Sequence, residues 1–129
     1  MLNEAKSASG GRKIALIDDE EVILDLYSRG LAKDFEVLTA TNGKEGLDLI
    51  EHEKPDLALV DIRMPEMDGL QMLEKMKEKG LLTMPVIILT NLAHDEKIAE
   101  AIELGAKEYV LKESVNPHEL VERVKKYLK

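Results

Sequence analysis

Residues 57–69 read LALVDIRMPEMDG, and this stretch decides the fold. Leu57, Ala58, Leu59 and Val60 follow one another without polar alternation and end at Asp61, the pattern of a strand covered on both faces that delivers a carboxylate to its tip. Pro65 breaks regular structure, and Asp68 opens a helix as a cap, with Gln71 at the third helical position. Asp61 is thereby placed on a loop at the carboxyl end of a strand, where open α/β sheets put their chemistry. An isolated aspartate at such a place is most often an ordinary turn residue, so the weight falls on what surrounds it.

Working outward, the same alternation of short apolar runs and helical periodicity recurs. Before the central strand stand KIALID (13–18), a helix with Ile23, Leu26, Tyr27 and Leu31 on one face, and FEVLTA (35–40), whose partial alternation suits an edge strand. Asn42 caps the next helix, with Glu45 at the capping-box position, Leu47 and Ile50 inward, and Lys54-Pro55 at its end. After it, a helix from Asp68 to about Lys79 carries Leu70, Leu73 and Met76 and stops at Gly80. Pro85 introduces the strand VIILT (86–90), and DEKIAEAIELG (95–105) is a helix closed by Gly105. KEYVLK (107–112) is the last strand. Asn116, Pro117 and Glu119 start a final helix with Leu120, Val124 and Leu128 buried.

Strand and helix alternate five times, which predicts an α/β fold: a doubly wound, five-stranded parallel sheet with helices on both faces. The pattern leaves the strand order open. A flavodoxin-like order 2-1-3-4-5 puts the reversal of winding between the first and third strands, whose ends carry Asp18-Asp19 and Asp61. Residues 1–11, small and polar without periodicity, are expected to be a disordered tail, and residues 12–129 a single domain.

Composition narrows the function. The 129 residues contain no run of 18 apolar residues and no basic segment leading into a hydrophobic one, so neither a membrane span nor a signal peptide is expected, and the location expected is cytoplasmic. The absence of cysteine excludes disulfides, thiolate metal sites and cysteine nucleophiles. A net charge of -8 argues against nucleic acid and anionic lipid as partners and favours divalent cations and basic surfaces.

Asp18, Asp19 and Asp61 converging on one crevice repel one another by roughly 1 kcal/mol or more per pair unless a cation or protons compensate. Oxygen donors on loops, without nearby histidine, favour Mg²⁺, which is normally held by one or two carboxylates together with phosphate oxygens. Thr90 ends the fourth strand with a hydroxyl and Lys112 the fifth with a cation, the groups a phosphoryl oxygen on Asp61 needs. Each has a plainer reading: Asp18 as a helix cap completed by Glu21, Thr90 as a tolerated β-branched residue, Lys112 as a solvated charge. Their joint occurrence carries the argument.

With these residues in hand, the chain resembles the receiver domain of bacterial two-component response regulators, of the stand-alone, chemotaxis-regulator-like kind. The resemblance rests on LIDDE, on VDIRMP followed by Asp68-Gly69, on ILTN, and on Tyr109 three residues before Lys112, and it spans residues 12–129. It implies the order 2-1-3-4-5 and a phosphorylation-dependent signalling switch in which Asp61 accepts a phosphoryl group from a histidine kinase or histidine phosphotransfer protein. Mg²⁺ is implied at Asp19, Asp61 and the Arg63 backbone carbonyl, with Asp18 acting through water, while Lys112 and Thr90 contact the phosphoryl group. Thr90 and Tyr109 form the implied switch. The readout surface is implied to lie on the fourth helix, fifth strand and fifth helix, roughly residues 98–105, 107–109 and 117–126. A downstream protein binds there, to a monomer or to a phosphorylation-dependent dimer. Such a protein catalyses only its own phosphorylation and dephosphorylation and is not a metabolic enzyme.

Two positions depart from the family pattern. Glu113 stands where a proline joined by a cis peptide is usual, so a trans bond is admissible there. Asn91, followed by Leu92, replaces a very small residue; with Arg63 these are expected to crowd the phosphoryl group and lengthen its lifetime. Two other readings stand beside the switch: a receiver fold that signals without phosphorylation, and an aspartate-nucleophile phosphohydrolase, which lacks a cap insertion and a separate general acid here. His52, His94 and His118 are expected to be solvated, and Met64, Met67, Met72 and Met76 to fill loop and core.

Overall fold

The computed structural model of the protein describes residues 11–128; apart from Gly11, the expected N-terminal tail lies outside them. Five parallel strands form one sheet in the order β2-β1-β3-β4-β5, with β1 at Lys13–Ile17, β2 at Glu36–Ala40, β3 at Leu57–Asp61, β4 at Val86–Thr90 and β5 at Glu108–Leu111. Between them run α1 (Glu21–Leu31), α2 (Gly43–Glu53), α3 (Gly69–Glu78) and α4 (Glu96–Leu104), and α5 (Pro117–Tyr127) closes the chain. The flavodoxin-like order implied by the resemblance is the observed one.

Side chains alternate across each strand, so the central strands β1, β3 and β4 serve two cores. Ala15, Ile17, Ala58, Val60, Val86 and Ile88 pack with Leu47, Ile50, Leu73, Met76 and Ala101 from α2, α3 and α4. Ile14, Leu16, Leu57, Leu59, Ile87 and Leu89 pack with Tyr27, Leu31, Leu120 and Val124 from α1 and α5. β3 and β4, central and covered on both sides, are buried at every residue. β2 and β5 are the edges and bury less.

Local rules place most helix ends. Asp68 with Gln71, and Asn116 with Glu119, make complete capping boxes. Asn42 caps α2 by accepting from the Glu45 amide, but Glu45 reaches past Asn42 to the Thr41 amide and hydroxyl, so the expected box is not formed. Two further expectations are corrected. Leu26 is 47 % exposed, and the buried face of α1 turns instead through Ile23, Leu24, Tyr27 and Leu31; a window of helical spacing admits either face, and the packing of α5 decides. Asp18 does not cap α1: the cap position is Glu20, whose side chain makes no cap bond, while Asp18 accepts from the Glu20 amide at 2.9 Å. Asp18 is thus a turn former whose other oxygen faces Lys112 in the site.

The loop beyond β3 closes tightly. Gly69 donates to the Ile62 carbonyl at 3.0 Å, and a Cβ built there would stand 2.4 Å from the carbonyl oxygen of Asp61. Glycine is required at this position because backbone passes over backbone.

Candidate functional site

Register brings the functional side chains to one rim. In the parallel ladder Asp61 stands opposite Leu89 and Thr90 opposite Leu111, while Asp18 follows the last residue of β1 and donates its amide to the Ala40 carbonyl. The carboxyl ends of β1, β3, β4 and β5 therefore supply Asp18-Asp19, Asp61, Thr90 and Lys112 to a common crevice. A cavity of about 270 Å³ opens there, lined by Asp19, Glu20, Asp61, Thr90, Asn91 and Leu92, with Arg63 and Asp95 on its flank.

Asp18, Asp61, Thr90 and Lys112 are all buried charged or polar side chains, a costly arrangement unless they pair. Lys112 Nζ sits 2.8 Å from Asp18 Oδ2, 3.1 Å from Asp61 Oδ2 and 2.6 Å from Glu20 Oε1. Burial presses the ammonium toward neutrality, but the carboxylates prevail and hold it charged well above its ordinary value. Lys112 is the first residue past β5, in a single 3₁₀ turn (Lys112–Ser114), and the chain contains no cis peptide among the described residues, so the Lys112–Glu113 bond is trans. The turn is held from below by Tyr27, whose hydroxyl reaches the carbonyls of Lys112 at 2.9 Å and Val115 at 3.2 Å.

Burial, followed by the charge of Asp18, pushes the Asp61 carboxyl up to about 7; Lys112 opposes the shift, and a hydrogen bond that the protonated carboxyl donates to Asp19 adds to it. Asp18 is likewise raised, chiefly by burial. Three carboxylates so placed are short of positive charge. Ligand oxygens of Asp18, Asp19 and Asp61 lie within 4.8 Å of one another. Asp18 Oδ2 is fully buried and, despite its ionic contact with Lys112, receives no aligned hydrogen bond. An all-oxygen set with an orphaned buried lone pair fits a hard divalent cation.

The remaining expected residues fall as follows. The Arg63 amide points at Asp61 Oδ1 at 3.4 Å, keeping this peptide beside the carboxylate. Its guanidinium is tied to both oxygens of Asp95 at 2.7 and 2.8 Å, while Arg63 still lines the crevice with Asn91 and Leu92. The Thr90 hydroxyl is tied to the Leu92 backbone, accepting from its amide at 3.1 Å and facing its carbonyl at 3.3 Å. Tyr109 is 40 % exposed, on the outer side of β5. His52, His94 and His118 are exposed and stand apart from the cluster, while Met64, Met72 and Met76 are buried.

Sequence reasoning missed Glu20 and Asp95. Glu20 reads as one more acid in LIDDE, yet its side chain accepts a hydrogen bond from Lys112. Asp95 reads as a helix cap and is one, but its buried carboxylate also receives Arg63 from 32 residues away. Long-range pairing of this kind has no local signal.

The family model for the response regulator receiver domain matches residues 14–125. The chain belongs to this family. It is 36 % identical over 121 residues to the alkaline phosphatase synthesis transcriptional regulatory protein PhoP of Bacillus subtilis, covering 92 % of this chain and 49 % of that protein. The chain thus spans about half the length of that curated relative. Among solved structures, it matches the CheY-like receiver domain protein of Methanospirillum hungatei at a TM-score of 0.83 and 36 % identity, over 92 % of this chain and 94 % of the other. It also matches the beryllofluoride-activated N-terminal receiver domain of Klebsiella pneumoniae RstA at 0.81 and 31 %, over 92 % and 99 %. The chain is therefore a receiver domain of two-component response regulators, a signalling domain. No helix among the described residues is long and apolar enough to cross a membrane.

Proposed function

We propose that the receiver works as a phosphorylation-dependent switch: Asp61 accepts a phosphoryl group from a phosphohistidine of a kinase or phosphotransfer partner, and the change alters affinity for a downstream protein. The observation that carries this reading is the placement of Asp61 at the mouth of the crevice, with the Lys112 ammonium 3.1 Å from one oxygen and Asp18 and Asp19 beside it.

In the transfer, a carboxylate oxygen of Asp61 attacks phosphorus in line as the phosphorus–nitrogen bond breaks. The electron pair passes to the donor imidazole nitrogen, which takes a proton. The product is an acyl phosphate. Mg²⁺ held by Asp19, Asp61 and the Arg63 backbone carbonyl, with Asp18 through water, would neutralise phosphoryl oxygens and keep Asp61 ionised. Lys112 supplies the fixed cation for another oxygen, and Thr90 a hydroxyl once released from the Leu92 backbone. That release shifts the segment leading into α4 and opens room for Tyr109 to turn inward, which alters the face built from α4, β5 and α5. Small electrostatic events bias such bistable elements by a few kcal/mol at most, enough to change partner affinity tenfold or more.

The test is intact mass after incubation with Mg²⁺ and phosphoramidate. A gain of one phosphoryl group, absent in Asp61→Asn, is expected. Absence of any gain in the unaltered protein would favour a module that signals without phosphorylation, and turnover of unrelated phosphate esters would favour a hydrolase.

A further inference from the structure

Among the described residues, the contact of Lys112 Nζ that is aligned as a hydrogen bond is with Glu20, at 2.6 Å; its approaches to Asp18 and Asp61 are ionic contacts without that alignment. Glu20 differs from those two acids in every other respect. Its side chain is 47 % exposed where that of Asp18 is fully buried. It stands at the cap position of α1 without capping it. It lines the crevice together with Asn91, next to Thr90, so an exposed carboxylate paired with the lysine stands in the wall of the cavity.

We infer that Glu20 is a built-in competitor for the incoming phosphoryl group: its carboxylate occupies, until displaced, the donor direction of Lys112 that a phosphoryl oxygen takes. The inference rests on the reading of Asp61 as phosphoacceptor. Chemically, one anion with two oxygen acceptors stands in for another. Asp18 and Asp61 cannot yield this place, because they are held in the sheet rim, whereas Glu20 can swing into water at little cost. A ligand that must first displace an internal one binds more weakly by the fraction of sites left open. Glu20 therefore acts through Lys112, as a positioning residue that sets the concentration of phosphodonor needed more than the rate of the chemical step.

The experiment compares the unaltered protein with Glu20→Gln, Glu20→Ala and, as a charge control, Glu21→Gln, which removes the same charge from the exposed start of α1. Two probes are used with saturating Mg²⁺: beryllofluoride binding by calorimetry, and phosphoramidate uptake by intact mass. Both Glu20 variants are expected to bind beryllofluoride at least fivefold more tightly and to reach half-maximal uptake at correspondingly lower phosphoramidate, a larger change than any in the saturating rate. Glu21→Gln should move neither by more than twofold. Equal affinities in the unaltered and Glu20 variants, a gain in the saturating rate alone, or an equal effect of Glu21→Gln would each overturn the inference while leaving Asp61 as acceptor. No mass gain in any of the four proteins would overturn both.

Discussion

The Tyr27 hydroxyl, 85 residues upstream in the chain, donates to the Lys112 carbonyl at 2.9 Å, and so α1 carries the turn that aims the site's ammonium. Tyr27 is 1 % exposed, so water does not replace the bond if it is lost. Tyr27→Phe keeps the ring and removes the donor shared by Lys112 and Val115. It is expected to lower stability by about 1–3 kcal/mol in urea unfolding with an unchanged m-value. A change below 0.5 kcal/mol would mean that the turn holds itself.

A second tie joins the loop after β3 to the start of α4. Arg63 forks onto Asp95, and Lys97 pairs with Asp68 between the same two segments. Asp95 is lowered first by the Arg63 hydrogen bonds, against the effect of burial. A depressed carboxylate contributes stability above its ordinary range and loses it as pH falls through the depressed value. Arg63→Met should therefore lower Tm at pH 6–7, with the difference shrinking below about pH 4. Asp95→Ala also removes the cap of α4 and should cost about 1 kcal/mol more. A pH-independent Tm difference for Arg63→Met would show that the ion pair does not act through the charge of Asp95.

How much of this was legible depends on the range of each interaction. Leu57–Val60 announced a strand buried on both sides, and Asp68 with Gln71 announced the helix after it, because periodicity and capping are written within a few residues. The convergence of Asp18, Asp19 and Asp61 followed once a strand order was supposed. The apolar pattern could not choose between Leu24 and Leu26 on α1, since both lie near the boundary of the face and α5 settles the matter. Glu20 and Asp95 were invisible as site residues: each obeys a local rule for helix starts, and its partner, Lys112 or Arg63, comes from a distant loop.

The Asp61 carboxyl, pushed up to about 7, gives a stability signature of the opposite sign to that of Asp95. A raised folded-state value means that the folded protein keeps the proton while the unfolded chain releases it. The stability associated with that proton is full below about pH 4 and is lost as pH rises through 7. Asp61→Asn has no proton to lose. With chelator present, its Tm should match the unaltered protein near pH 4 and exceed it above pH 7, by on the order of 2–4 kcal/mol in stability. A lower Tm for Asp61→Asn at pH 8 would mean that pairing with Lys112 outweighs burial.

Asn91 lines the crevice together with Glu20. Leu92 is 59 % exposed beside Asn91, and the two are expected to narrow the approach of a water to a phosphoryl group on Asp61. Hydrolysis of the acyl phosphate needs that water in line. Asn91→Ala is expected to speed phosphate release several-fold, followed as loss of the phosphoryl mass after the donor is removed. Equal lifetimes would assign the restriction to Leu92 or to nothing at this rim.

Addition of a divalent cation should relieve the charge imbalance among Asp18, Asp19 and Asp61 directly. A ligand that binds the folded state stabilises it by about 1.4 kcal/mol at ten times its dissociation constant. For a domain of this size that corresponds to a rise in Tm of roughly 4 °C. The rise should be larger at pH 8 than at pH 5.5, because below 7 Asp61 holds a proton that the cation must displace. Asp19→Asn should reduce the rise, and Asp61→Asn should remove both most of the rise and its pH dependence. Ca²⁺, larger and more tolerant of irregular oxygen sets, serves as the comparison. If Mg²⁺ raises Tm equally in all three proteins, the ion is acting on the surface charge at large and not at the rim of the sheet.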